Sequence, residues 1–167
     1  MTDERIKKTA EGGKFLTFYL SKEEYGLEIL KVHEIIGMMT ITPIPKAPSF
    51  IKGVINLRGK IIPLVDLRLK FGMEETKYSE QTCTIVVKVN GIEMGIIVDR
   101  VSEVRDISIR DIDETPKFGT SINTDYILGI GKTSGKVTML LDIDQVLTSS
   151  ELSEVKTVSN NKPVRAA

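Results

Sequence analysis

Short apolar runs alternate with turn residues over most of the chain, from about residue 15 to about residue 147. The runs are rich in Val, Ile and Leu, and several are apolar at consecutive positions. This pattern predicts β-strands, and strands that are apolar on both faces are typical of curled or covered sheets. The predicted strands are FLTFYL (15–20), YGLEIL (25–30), ITPI (41–44), GVINL (53–57), KIIPLVDL (60–67), TIVVKV (84–89), EMGIIV (93–98), ILGIGK (127–132) and KVTMLL (136–141).

One of these strands contains a proline. Pro63 lies inside KIIPLVDL. Because proline cannot donate a hydrogen bond to a strand ladder, it predicts an edge or a bulge at that point.

The segment KVHEIIG (31–37) carries a helical signal instead. Val32, Ile35 and Ile36 would share one face of a helix, and the glycine at the end of the segment would stop it. The repeat described below places Val101 in the same setting as Val32, at the start of a short helical turn.

Two further helices are predicted after apolar strands. DLRLKFG (66–72) begins with Asp66 as an N-cap and ends with Gly72 as a stop. DIDQVL (142–147) begins with Asp142, which is an N-cap of the same kind.

The two ends of the chain lack this periodicity. Residues 1–14 and 150–167 are polar and are predicted to be flexible tails, with SSELSEVKTV (149–158) as an alternative helical extension. DISIRDIDETPKFGTSINTD (106–125) is also polar and predicts a long connection over the surface.

The chain repeats itself. IKGVINLRGKIIPLVDLRLKF (51–71) aligns without gaps on ILGIGKTSGKVTMLLDIDQVL (127–147), and YGLEILKVHEI (25–35) aligns on MGIIVDRVSEV (94–104). Each half therefore has the same predicted order of strands, hairpin and capped helix. Two similar β-barrels related by a pseudo-twofold axis are the expected architecture.

Composition limits the classes of function. The chain has 167 residues, which favours one domain or two small subdomains. Its formal net charge is zero, from 23 basic and 23 acidic residues, which argues against nucleic acid and against a polybasic membrane anchor. The start lacks the apolar core of a signal peptide, and no apolar run is long enough for a membrane helix, so a cytoplasmic location is expected.

Cys83 is the single cysteine. A single cysteine excludes an internal disulfide and a cysteine-rich metal site. Because it begins the apolar run CTIVVKV, a small buried hydrophobe is favoured over a reactive thiol.

Candidate enzyme chemistry fails on spacing. GIGKTSGKV (129–137) has the wrong separation between its glycines for a phosphate loop, and a strand follows it, so a hairpin turn is favoured. The sequence contains no nucleophile motif for which His33 could act as the base. A calcium loop needs more acidic residues than the two pairs present, Asp142 with Asp144 and Asp111 with Asp113. No catalytic, cofactor-binding or metal-binding residues are predicted.

An interaction surface remains. The repeat makes Val32 equivalent to Val101, with Glu34 and Glu103 following each. The two valines would line a groove for an amphipathic helix, or would belong to the core between the barrels. Arg58 is equivalent to Ser134, so the fold does not need an arginine at that turn, and arginine is enriched at interface hot spots.

These residues resemble a known family. EEYGLEILKVHEI, FIKGVINLRGKIIPLVDLRLKF, GIIVDRVSEV and DYILGIG are similar to the chemotaxis coupling proteins of the CheW family. The resemblance runs from about Phe15 to Leu147, and it includes an intact NLRG motif at 56–59.

The resemblance implies an all-β fold of two intertwined, SH3-like, five-stranded barrels with short helices. Residues 15–149 would form one domain, with sequence repeats at about 15–72 and 82–148. It implies a non-enzymatic scaffold that links the cytoplasmic tips of chemoreceptors (methyl-accepting chemotaxis proteins) to the regulatory domain of the histidine kinase CheA, with neither nucleic acid nor membrane insertion.

The resemblance also implies roles for individual residues. It places on the receptor-contacting surface Val32, Glu34, Asn56, Arg58, Val101 and Val104. It implies that glycines permit tight turns and close strand approach at Gly53, Gly59, Gly95 and Gly129. The alternatives are a module of the same type in another sensory or motility pathway and, outside this class, a small nucleic-acid-binding barrel or a hydrolase.

Overall fold

The computed structural model describes residues 11–115, 125–147, 151, 153 and 155. Within these ranges the strands form one six-stranded and one five-stranded sheet. The six-stranded sheet has the order β8-β1-β2-β11-β10-β9, with β1 at Gly13–Leu20, β2 at Glu23–Glu28, β8 at Arg100–Ile107, β9 at Ile112–Asp113, β10 at Ile127–Thr133 and β11 at Lys136–Leu141. The five-stranded sheet has the order β3-β6-β7-β5-β4, with β3 at Val32–Gly37, β4 at Ile51–Leu57, β5 at Lys60–Asp66, β6 at Cys83–Val89 and β7 at Ile92–Val98. The all-β prediction is confirmed.

The repeat in the sequence appears as equivalent positions in the two sheets. Each sheet combines strands from both halves of the chain, because β1 and β2 pair with second-half strands and β6 and β7 pair with first-half strands. The exchanged hairpins join through parallel pairs, in which Gly26 lies opposite Leu140 and Gly95 lies opposite Leu64. The repeat aligns these two glycines with each other and these two leucines with each other, so the same contact occurs in both sheets.

The largest core lies between the sheets. Strands of both sheets supply its buried side chains, among them Leu16, Phe18, Leu27, Ile85, Val87 and Ile96. A smaller apolar cluster lies on the other face of each sheet, around Leu64 in one and Leu140 in the other. A sheet that buries both of its faces requires strands that are apolar at consecutive positions, which is the pattern in the sequence.

Two hairpins at equivalent places in the repeat turn on the same backbone geometry. Arg58 and Gly59 join β4 to β5, and Ser134 and Gly135 join β10 to β11, with positive φ at all four residues. Two consecutive residues with positive φ define the tight turn that suits the twist of a β-hairpin. The hairpin predicted for GIGKTSGKV is therefore confirmed.

Both capped helices form at the predicted places. The short helix α1 (Leu67–Lys70) begins after Asp66, whose carboxylate accepts from the Leu69 amide at 3.3 Å. The second is a 3₁₀ turn at Ile143–Gln145, and its cap Asp142 accepts from the Asp144 amide at 3.1 Å.

The helix predicted over 31–37 is wrong. A 3₁₀ turn occupies Ile29–Lys31, and the rest of the segment is strand β3, which pairs antiparallel with β6. The three branched side chains of the segment are typical of strands, and β6 provides the neighbour that a strand needs. The equivalent helical turn at Val101 is also wrong, because Val101 lies in β8.

Two further predictions need correction. The strand predicted for ITPI (41–44) reduces to one bridge between Thr42 and Val54, because the prolines around it cannot donate to a ladder. The surface connection predicted over 106–125 begins instead with the end of β8, a 3₁₀ turn and β9, and its residues 116–124 lie outside the described residues.

Pro63 sits where β5 is paired on one side. It lies opposite Val54 of β4, whereas the pairing of β5 with β7 starts at Leu64. β5 is an interior strand, so the predicted edge does not form, but Pro63 lies just before the pairing with β7 begins, where its missing amide is tolerated.

The chain ends are described only in part. β1 starts at Gly13, and most of the residues predicted as tails lie outside the described residues. Residues 151, 153 and 155 are helical, and Val155 is fully buried in the core between the sheets.

Candidate partner-binding site

The residues predicted to contact a partner lie mainly on two edge strands. Among the described residues, β3 ends one sheet and β8 ends the other. Each carries a β-bulge at an equivalent place: His33 and Glu34 oppose the single residue Val86, while Ser102 and Glu103 oppose the single residue Thr17. The two edge strands therefore have the same bulged geometry at equivalent positions of the repeat.

The bulge in β8 brings Val101 and Val104 onto one face. Val101 lies opposite Phe18, and Val104 lies opposite Leu16. Directly opposed residues of an antiparallel pair project from the same face of the sheet. Because Phe18 and Leu16 both belong to the core between the sheets, the two valines lie along the margin of that core, where Val104 is 52% exposed.

The same arrangement holds on β3. Val32 lies opposite Val87, and Ile35 lies opposite Ile85, and both partners are in the core between the sheets. Ile35 is 45% exposed. We call Val32, Ile35, Val101 and Val104 the apolar margin. Val32 and Val101 also pack against the core, so the interpretation of these two residues as core residues holds, and they lie at its open edge. The groove for an amphipathic helix stays a prediction.

Cys83 links the two edges. It is the first residue of β6, lies opposite Gly37 at the end of β3, and its thiol has a hydrogen bond with the backbone of Val101 on β8. Burial raises the pKa of the Cys83 thiol, and the hydrogen bond from Val101 only partly offsets this effect. A thiol held in its protonated form is a poor nucleophile.

We therefore expect Cys83 to resist alkylation in the native protein. Iodoacetamide at pH 8 should modify it at least about tenfold more slowly than it modifies the unfolded chain, because the thiolate is the reacting species. Mass spectrometry of native and urea-treated protein measures the two rates. Equal rates would show that the thiol is accessible and ordinary.

Asp99 positions the start of β8. Its carboxylate accepts from Arg68 of α1 at 2.7 and 2.6 Å and from the Ser21 amide at 2.6 Å. Burial opposes ionisation, but these hydrogen bonds and the charge of Arg68 hold the pKa of Asp99 below its ordinary value. A bidentate arginine–carboxylate pair fixes orientation as well as distance, so β8 starts from a defined point.

A charged pair forms the rim beside the apolar margin. Arg58 lies in the turn after β4 and forms an ion pair with Glu34 of β3. Since β3 and β4 are the two opposite ends of the five-stranded order, this contact shows that the sheet curls until its ends meet. The Arg58 side chain is 69% exposed, so most of its surface faces solvent.

Asn56 has a structural task in the same turn. Its side-chain oxygen accepts from the Gly59 amide at 2.8 Å. This contact closes the turn that presents Arg58, and asparagine is well suited to such bonds because its side chain is short. Within the NLRG motif, three residues thus have distinct tasks: Asn56 and Gly59 shape the turn, and Arg58 faces outward.

A second charged group lies near this rim. Glu93 of β7 accepts from Lys60 at 3.0 Å and lies 3.7 Å from His33 Nδ1. The hydrogen bond from Lys60 holds the pKa of Glu93 below its ordinary value. His33 is therefore a strand residue beside a carboxylate, and the helical setting predicted for it is wrong.

The structural glycines fall into two kinds. Gly53 and Gly95 lie where strands meet, and a Cβ at Gly95 would lie 2.5 Å from Thr84 Cγ2 and 2.6 Å from Leu64 Cδ2. Gly129 lies at a register shift of β10 that matches the shift at Gly53 in β4. Gly59 instead serves the hairpin turn, with φ +89 and nothing within 4 Å of an added Cβ.

Sequence reasoning missed part of the exposed apolar surface. Leu30 is 93% exposed in the turn before β3, and Met39 is 39% exposed just after β3. Together with Ile35 of β3, they are three exposed apolar side chains close together along the chain. The signal was present in YGLEILKVHEIIGMM, which has more apolar residues than one buried face requires.

Among the described residues, neither a metal-ligand cluster nor a membrane-spanning helix is found. Within the described ranges, no three His, Cys, Asp or Glu side chains come together as metal ligands. The helices in the same ranges are all too short or too polar to cross a bilayer. An exposed apolar margin with a charged rim, carried on two sheet edges, indicates a protein-interaction module.

Comparisons with known proteins identify the module. A family model described as "CheW-like domain" matches residues 14–151. The chain is 41% identical over 150 residues to the chemotaxis protein CheW of Klebsiella aerogenes, covering 90% of each chain. It is 35% identical to the chemotaxis protein CheW of Helicobacter pylori, over 86% of this chain and 92% of the other. The chain belongs to the CheW family.

A solved structure agrees. The crystal structure of the scaffolding protein TtCheW from Thermoanaerobacter tengcongensis is similar to this fold, with a TM-score of 0.74 and 40% identity. The match covers 81% of this chain and 92% of that one. The two-sheet architecture is therefore that of a CheW scaffold.

Proposed function

We propose that this chain is a non-enzymatic scaffold that couples the cytoplasmic tips of chemoreceptors to the histidine kinase CheA. Its membership of the CheW family and its likeness to a CheW scaffolding structure support this role. We also propose that residues 15–149 form one domain, in which the two sheets are intertwined SH3-like barrels. The exchange of strands between the halves and the Thr42–Val54 bridge support that description.

The receptor helix binds along the apolar margin, with the Glu34–Arg58 rim beside it. The observation that carries this proposal is the position of Val101 and Val104, which lie together at the open edge of the core. An amphipathic helix buries apolar side chains at helical spacing and leaves its polar face in water, so it fits an apolar strip with a charged border. Asn56 contributes by holding the turn.

A titration followed by NMR tests the proposal. Isotope-labelled protein is mixed with a purified cytoplasmic fragment of a chemoreceptor. Amide shifts clustered at 32–36, 56–58 and 101–104 would support binding at this site. Shifts clustered elsewhere would move the receptor site, and no shifts at saturating fragment would contradict receptor coupling. The regulatory domain of CheA is then titrated separately as the second partner.

Arg58→Glu is expected to weaken receptor binding by about 2 kcal/mol, the scale of an interface hot spot. The side chain is mostly exposed, and its ion pair with Glu34 is at the surface, so folding should change little. Isothermal titration calorimetry with the receptor fragment measures the affinity, and thermal unfolding measures the stability.

Ser134→Glu is the matched control. Ser134 occupies the equivalent turn in the other half, with φ +50 against +53 for Arg58. It therefore receives a glutamate in the same backbone geometry, outside the proposed site. Unchanged binding by Arg58→Glu, or equal losses from both variants, would remove Arg58 from the receptor contact.

A further inference from the structure

The bulge of β8 is held by a buried hydroxyl. The Thr17 Oγ1 of β1 donates to the Glu103 carbonyl oxygen at 3.0 Å and accepts from the Glu103 amide at 3.2 Å. Thr17 has no exposed surface. A bulge leaves backbone groups without ladder partners, and here one side chain bonds both groups of the residue that bulges.

A second contact fixes the side chain of the same residue. The Arg105 guanidinium donates to Glu103 Oε2 at 2.6 Å, and it also donates to the buried Glu24 at 2.6 and 3.1 Å. The main chain of Glu103 is therefore held by Thr17, and its carboxylate is held by Arg105. Both contacts act on Glu103, which is one of the two residues between Val101 and Val104.

The other half of the molecule lacks these groups. The repeat places Val86 where Thr17 stands, and Ile36 where Arg105 stands. Val86 is buried and Ile36 packs against an apolar cluster of the five-stranded sheet. Since the β3 bulge forms without a hydroxyl opposite it, the fold does not require one at this place. Thr17 thus has a task beyond making the strand pair.

We propose that Thr17 is a positioning residue for partner recognition: by locking the β8 bulge, it fixes Val101 and Val104 on one face of the strand. This inference rests on the proposed function, because it assumes that the receptor helix contacts these two valines. Without the lock, the bulge samples other registers, and a one-residue slip turns one of the two valines to the opposite face. The partner would then meet a single valine.

Thr17→Val tests the inference in the full-length chain. Valine is close to threonine in shape, and it is the residue found at the equivalent place, so the variant should fold. We expect the amide of Glu103 to exchange with solvent at least about tenfold faster, because its bond to Thr17 is lost. We expect the Kd for the receptor fragment to rise about tenfold, within the range of lost interface contacts.

Two further variants separate positioning from general stability. Thr84→Val removes another fully buried threonine hydroxyl, whose contact is with the Met38 sulfur at 3.6 Å, away from β8. It should leave both measurements unchanged. Thr17→Ser keeps the hydroxyl and should restore slow exchange at Glu103 and wild-type affinity.

The outcomes are distinct. Unchanged receptor affinity in Thr17→Val, or an equal loss in Thr84→Val, would overturn the positioning role. Unchanged exchange at Glu103 would overturn the lock itself. If the wild-type chain does not bind the receptor fragment, the proposed function fails first, and the role of Thr17 in recognition falls with it even where the exchange result holds.

Discussion

Gly53→Ala is expected to lower the free energy of unfolding by about 3 kcal/mol, at the upper end of overpacking effects. A Cβ at this position would lie 2.2 Å from the Thr42 carbonyl oxygen and 2.8 Å from Ile41 Cγ2. The first of these atoms belongs to the backbone and cannot rotate away. The φ of +143 adds strain, because residues other than glycine rarely adopt this backbone angle.

The destabilisation would extend beyond Gly53, because the segment around Thr42 lies against it. Thr42 and Val54 exchange two backbone hydrogen bonds of 2.9 Å, and this bridge attaches the segment after β3 to β4. Gly53 sits directly beside that bridge. Pushing Thr42 away would open the curled sheet near Ile41, which packs against the apolar cluster inside it. Loss of the Glu34–Arg58 contact, and with it the proposed receptor binding, should follow from the loss of curvature.

Gly37→Ala provides the control. Gly37 is also a strand residue of the same sheet, but nothing lies within 4 Å of an added Cβ, and its φ is not positive. Its free energy of unfolding should change by less than about 1 kcal/mol. Urea denaturation followed by circular dichroism compares the two variants with the wild type. Equal stability of Gly53→Ala and Gly37→Ala would show that Gly53 is not a packing constraint.

The two helical turns predicted wrongly from the sequence have one common cause. A β-bulge inserts a residue into a strand, so residues three apart fall on one face. Val32 and Ile35 on β3, and Val101 and Val104 on β8, have this spacing. The same spacing is the mark of a helix, so both bulged edges were predicted as helical turns. The strands that alternate apolar and polar residues, or that are continuously apolar without a bulge at an edge, were located correctly.

The repeat predicted more than the individual strands did. It placed Gly26 with Gly95 and Leu64 with Leu140, and the structure brings each glycine opposite one of these leucines. It did not reveal that the hairpins exchange between the two sheets, because pairing across halves leaves no trace in local pattern. The Glu34–Arg58 pair could not be predicted from the sequence either, because it depends on how far the sheet curls.

Arg105→Met is expected to destabilise the protein by about 3–5 kcal/mol, the cost of leaving a buried charge without its partner. The partner is Glu24, whose side chain is 4% exposed, and the Arg105 side chain is 16% exposed. Thr138 also donates to Glu24, but a hydroxyl does not neutralise the carboxylate. Lys14→Met is the control, because Lys14 of β1 pairs with Asp106 of the same strand β8, and both of these side chains are mostly exposed.

Replacing both partners should recover most of the loss. In Glu24→Met with Arg105→Met, no charge is left buried, and apolar groups of similar size are tolerated in place of a buried pair. The free energies of unfolding of the wild type, the two single variants and the double variant form a thermodynamic cycle. A double variant no more stable than Arg105→Met would mean that Arg105 acts through packing rather than through the charge of Glu24.

The coupling energy obtained from this cycle should depend on pH in a defined way. Burial works to raise the pKa of Glu24, but the hydrogen bonds from Arg105 and Thr138 and the charge of Arg105 hold it below the ordinary value of 4.5. A carboxylate with a lowered folded-state pKa contributes stability that is complete above that ordinary value and is lost as the pH falls through the lowered one. The coupling energy between Glu24 and Arg105 should therefore be constant from pH 8 to about pH 5 and decline below about pH 4.5. Coupling that stays constant down to pH 3 would show that the ionised carboxylate is not what Arg105 stabilises.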